Sequence, residues 1–154
     1  MALPTRLTAT YEAGNAWLAD SSAHPELTRG LWDADALAPI PSGDVWLVAE
    51  SRLVTGMPAL QRIYADQRGP VLADGDLDRA WWLVPLEAAE ELADVRELKV
   101  HPAGWSLLCP AMNSYVNGRF WLNRPDGSGL LTDPAGLAAA FGPGGYRRPA
   151  EAFG

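Results

Sequence analysis

Pro70-Val-Leu-Ala-Asp-Gly-Asp-Leu-Asp-Arg-Ala-Trp-Trp-Leu-Val-Pro85 decides the fold. Two apolar runs, 71–73 and 80–84, flank an acidic stretch rich in turn formers, the pattern of a β-hairpin. Successive side chains of a strand point to opposite faces, so Trp81 and Trp82 put one indole on each side. One packs under helices; the other is either covered by the N-terminal helices or open as a stacking platform. The hairpin therefore belongs at the middle of a sheet.

Working outward, 44–50 is a nearly continuous apolar run, as in a strand covered on both faces. Met57, Leu60, Ile63 and Tyr64 mark a helix with Pro58 near its start and Gly69 beyond its end. After the hairpin, Leu86, Ala89, Leu92 and Ala93 line one side of a second helix, followed by short strands at 97–101 and 105–109. The order from Asp44 to Cys109 is βαββαβ, which predicts an α+β fold of the RNA-recognition or ferredoxin-like type with both helices on one face. Asn117-Gly118 between 114–116 and 119–123 predicts a second hairpin extending the sheet. Asp133 and Pro134 open a last helix that stops at Gly142-Pro143. At the N-terminal side, 8–19 reads as an amphipathic helix and Pro25 opens a shorter one carrying Leu27, Leu31 and Trp32, which Pro39 and Pro41 close. The expectation is one domain over 1–143 and a disordered Gly/Pro-rich tail over 144–154.

A chain of 154 residues with 48% apolar and 20% charged residues can build its own core without metal or disulfide. Net charge is −7, with 16 acids against 8 bases over 1–112 and 3 against 4 over 113–154. Long-range repulsion opposes contact between most of this surface and a phosphate backbone. The lone Cys109 excludes an internal disulfide, and no run approaches the ~18 apolar residues of a membrane span, so the expected location is cytoplasmic with no membrane partner. Eleven of the twelve bases are Arg, and with abundant Ala, Gly and Pro this points to a GC-rich bacterial genome.

Asp74, Asp76 and Asp78 alternate through the central turn. Carboxylates two apart on an extended segment point the same way, so Asp74 and Asp76, or Asp76 and Asp78, could hold a divalent cation, with Asp74 and Asp76 the candidate ligands, set against the plain reading of acidic turn residues. An EF-hand is excluded, because Arg79 and Pro85 fall where its glycine and glutamate belong. His101 is the one candidate catalytic histidine; Cys109, in an apolar run, reads as core filling. Gly142-Pro-Gly-Gly145 lacks the Lys-Ser/Thr of a phosphate loop. Arg119 and Arg124, with Tyr115 and Trp121 interleaved, form a candidate interaction surface; Arg147, Arg148 and Tyr146 belong to the same basic neighbourhood. The acidic remainder favours a protein partner over nucleic acid there.

Leu31-Trp-Asp-Ala-Asp35, Gly69-Pro-Val-Leu-Ala-Asp74, Trp82-Leu-Val-Pro85 and Arg119-Phe-Trp-Leu-Asn-Arg-Pro-Asp-Gly-Ser-Gly-Leu-Leu-Thr-Asp-Pro134 resemble bacterial proteins classed with the N-terminal domain of bifunctional DNA primase/polymerases. The resemblance spans roughly residues 8–141 and implies a primase-polymerase-like fold around an RNA-recognition-type sheet. It also implies, for active members, two metal-binding aspartates one residue apart after a strand, a later histidine and a third carboxylate. Asp74, Asp76 and His101 sit at the matching places, but His101 precedes Pro102, no third carboxylate follows on a later strand, and Lys99 is the only lysine. Two-metal phosphoryl transfer needs acids for the ions together with cations for the triphosphate. The expected function is thus a non-catalytic interaction or regulatory module with a degenerate primase-polymerase-like fold and no cofactor. The alternatives are a nucleotidyltransferase using Mg or Mn, and a protein binding single-stranded nucleic acid.

Overall fold

In a computed structural model of the chain, residues 6–142 are described, Arg6 and Leu7 through their backbone only. The tail expected to be disordered, with Tyr146, Arg147 and Arg148, lies outside the described residues.

The central hairpin is β3 (Val71–Asp74) and β4 (Arg79–Val84), paired with Ala73 opposite Ala80 and Asp74 opposite Arg79. It lies inside a wholly antiparallel sheet of order β5-β2-β4-β3-β7, with β2 at Leu47–Ser51, β5 at Lys99–Val100 and β7 at Arg119–Asn123. Helix α3 (Leu53–Arg62) carries the chain from β2 past β4 to β3, and α4 (Ala88–Leu92) carries it from β4 past β2 to β5. This is the split βαββαβ arrangement, an α+β fold, with β7 adding the fifth strand beside β3.

Each face of the sheet has its own apolar layer. Leu47, Ala49, Val71, Ala80, Trp82 and Val84 pack against Ala59 and Ile63 of α3 and its exit, Ala88 and Leu92 of α4, and Leu137, Ala140 and Phe141 of α5 (Pro134–Phe141). On the other face, Trp46, Val48, Leu72, Trp81, Leu83 and Trp121 meet Leu18 and Ala19 of α1 (Arg6–Asp20), Trp32 of α2 (Pro25–Asp33) and a small second sheet. Period-two alternation thus sends Trp82 under the helices and Trp81 under the N-terminal layer; at 0% and 4% exposure neither offers a stacking surface.

Four local expectations need correction. Pro39 and Pro41 do not merely close a helix: Ala38–Pro41 is β1, paired antiparallel with β6 (Ser106–Cys109). Ala38 and Ile40 are buried and the prolines exposed, which an edge strand tolerates. As a result β6 leaves the main sheet. The strand read as 44–50 begins only at Leu47. Helix α3 begins well before Met57, leaving Pro58 in its interior. Its N-cap position, Arg52, supplies no side-chain cap; Asp78 of the distant β3–β4 turn does, its Oδ1 accepting from the Val54 N–H at 2.9 Å. Finally, only Val116 bridges Arg119 across the Asn117-Gly118 turn, whose φ values of 50° and 85° suit that pair. The segment before the turn is therefore not a strand. Among the described residues no helix is long and apolar enough to cross a membrane.

Candidate functional site

On the Trp81 face, the apolar stripe of each strand gives way at one end of the sheet to a polar row. The period of two that puts Val48, Leu72 and Trp121 inward puts Glu50, Asp74 and Arg119 on the same face, and Arg79 joins them from β4. Charges alternate across the strands: Glu50, Arg79, Asp74, Arg119. Such opposite-sign neighbours stabilise a sheet where like charges would destabilise it.

Glu50 is one hub. Its Oε1 accepts from Trp81 Nε1 at 2.9 Å and lies 2.8 Å from His101 Nε2, while Oε2 lies 3.1 Å from Arg79 Nε. A carboxylate only accepts, so the proton of this contact sits on His101 Nε2. The imidazole is further fixed by stacking on Trp105 at 3.8 Å between centroids, with 5° between planes. Asp74 is the second hub. Its Oδ1 accepts from the N–H groups of Asp76 and Leu77 at 2.9 and 3.0 Å, and its Oδ2 lies 3.4 Å from Arg119 Nε. Arg119 in turn lies 4.3 Å over the Trp81 ring and donates through Nη1 to the Leu108 carbonyl at 2.9 Å.

The three turn aspartates take different roles. Asp74 orders its own turn and neutralises Arg119. Asp76 is exposed, and its carboxylate approaches that of Asp74 over Gly118, where a Cβ would come 2.6 Å from Asp76 Oδ2 and 3.0 Å from Asp74 Oδ1. Asp78 turns away to α3 and to Arg52, 2.7 Å from its Nε. His101 follows β5, with β2 and β4 between it and β3, so at least three strand spacings, about 14 Å, separate its backbone from that of Asp74. Asp74 and Asp76 are neighbours; His101 does not join them. Among the described residues no three His, Cys, Asp or Glu side chains gather as a cation would require.

Cys109 is fully buried, and burial pushes its thiol up, against a smaller opposing effect of Arg119. The thiol form is not a nucleophile.

The Arg119, Trp121, Arg124 and Tyr115 neighbourhood divides. Trp121 belongs to the core at 4% exposure. Arg119, Trp121 and Arg124 donate to the carbonyls of Leu108, Pro110 and Met112 at 2.9, 2.9 and 2.8 Å. Three side chains of β7 and the residue just beyond it thus meet three alternate carbonyls along β6 and the segment that follows it, where Pro110 has no N–H to give to a backbone ladder. Tyr115 is 68% exposed and stacks on Phe120, and Arg124 lies over the Tyr11 ring at 4.9 Å.

Sequence reasoning missed Glu50, Arg79 and Trp105. One signal was present: Glu50 is the acid that directly follows the apolar run 45–49. Burial raises its pKa, but hydrogen bonds from His101 and Trp81 and the positive charges of His101 and Arg79 outweigh that, holding the carboxyl below the usual value of 4.5. A lowered pKa in the folded state means stability present above pH 4.5 and lost as pH falls through the lower folded value. Acid titration of the melting temperature is therefore expected to fall less steeply below pH 4.5 in Glu50→Gln than in the wild type; parallel curves would contradict this role for Glu50.

Comparisons with protein-family models, curated proteins and solved structures return no match.

Proposed function

We propose that the chain is a non-catalytic interaction or regulatory module on a primase-polymerase-like scaffold, acting through a protein partner in a bacterial cytoplasm. The observation that carries this reading is the engagement of Asp74. One carboxylate oxygen already holds two backbone N–H groups and the other faces Arg119. A cation at that carboxylate would sit against the guanidinium, and like charges at such range repel. Further support comes from His101, tied to Glu50 and Trp105 rather than facing Asp74 and Asp76. The covered indoles of the central hairpin remove one base-stacking platform on which the nucleic-acid alternative could rest.

The test is primer synthesis and primer extension by the purified protein with nucleoside triphosphates and Mg²⁺ or Mn²⁺. No product above background is expected. A metal-dependent product that disappears in both Asp74→Ala and Asp76→Ala would replace the module reading with the nucleotidyltransferase one.

A further inference from the structure

An open trough of about 190 Å³ lies across the ends of β2, β4 and β5, lined by Arg52, Arg79, Arg96 and Lys99 together with Glu50 and Glu97. Four of the twelve basic residues of a chain with net charge −7 line it, including the only lysine. They outnumber its two acids; Glu50 faces Arg79 and Asp78 faces Arg52, so the charge left for a ligand rests chiefly on Arg96 and Lys99. From these charges we infer that the trough docks an acidic, extended segment of a partner protein, an inference that rests on the module reading above and names its partner by chemistry.

Two of the cations are held ready. Arg52 is fixed through Nε to Asp78, and Arg79 through Nε to Glu50 and Nη1 to the Asp78 carbonyl at 3.1 Å. These contacts order the planar guanidinium groups, and an ordered fork loses less entropy when a carboxylate arrives. Arg96 and Lys99 are exposed and supply charge that can follow the ligand.

The lining favours an extended segment over a compact anion. Glu50 and Glu97 are interleaved with the cations, so a small dianion placed among them meets carboxylates as well. Side chains of an extended peptide alternate, and its acids can address the cations while passing the glutamates.

The test is fluorescence anisotropy of a labelled Glu-rich peptide against the full chain at about 50 mM salt, where exposed charges are incompletely screened. Binding is expected, weakening as salt rises, absent for the Gln-for-Glu peptide and weakened about tenfold in Arg96→Ala/Lys99→Ala, from two exposed charge pairs. Circular dichroism of that variant should be unchanged, since both side chains are exposed. No binding at low salt, equal binding by the Gln peptide, or an unaffected double variant overturns the inference. So does displacement of the peptide by inorganic phosphate or single-stranded DNA at lower concentration than by unlabelled peptide. Those outcomes leave the module reading standing, because that reading falls on primer synthesis and not on this titration.

Discussion

Trp82→Ala is expected to lower the free energy of unfolding by about 3–5 kcal/mol, measured by urea denaturation followed by circular dichroism. Trp82 is fully buried at the centre of the main sheet, opposite Ala49 on one side and Val71 on the other. Its ring meets Phe141 edge to face at 5.8 Å and its Nε1 donates to Ser51 Oγ at 3.0 Å. Truncation removes the apolar area of an indole, leaves a cavity between sheet and helices, and takes a donor from a buried hydroxyl. A domain of this size has only about 5–15 kcal/mol of stability, so much of the total is at stake. A loss under about 1 kcal/mol would mean that the residue is not at the centre of the packed sheet.

The second large effect concerns Asp74. Asp74→Ala is expected to cost roughly 1–3 kcal/mol in the absence of any metal, from the lost turn hydrogen bonds and a nearly buried guanidinium left without its carboxylate. Asp76→Ala, at an exposed position, is expected to change stability by no more than about 0.5 kcal/mol. The contrast separates two accounts of the same pair. Carboxylates gathered for a cation repel one another when it is removed, so deleting either one tends to stabilise the metal-free protein. Equal, small or stabilising effects at both positions would favour the metal account, and a large effect at Asp74 alone favours the turn and ion-pair account.

How far the fold was legible follows from where its determinants lie. The central hairpin reads from local residues because period-two apolar runs and a turn of aspartates and glycine point to the same structure. Helix α5 reads equally well, since its cap, Asp133, accepts from the Gly136 N–H within the same turn. Helix α3 does not, because its capping carboxylate comes from Asp78 in another element. Strand β1 was hidden by prolines that ordinarily break strands; it exists because β6, far along the chain, offers a pairing edge. The site was legible only in part for the same reason. Asp74 stood out by spacing, but its role depends on Arg119, which β7 places directly opposite it. Glu50 becomes a hub only once β2 is in register with Trp81. The trough cations Arg52, Arg79, Arg96 and Lys99 are scattered among acids in the sequence, and the ends of β2, β4 and β5 bring them together.

The most direct measurement is the melting temperature of the wild type and of Asp74→Asn, each in EDTA and in millimolar Mn²⁺. A cation that binds the folded state at about 100 times its dissociation constant adds roughly 2.7 kcal/mol, a readily seen shift. The account predicts that Asp74→Asn melts lower than the wild type in EDTA and that Mn²⁺ moves neither curve upward. A rise in the wild type that vanishes in Asp74→Asn would contradict it.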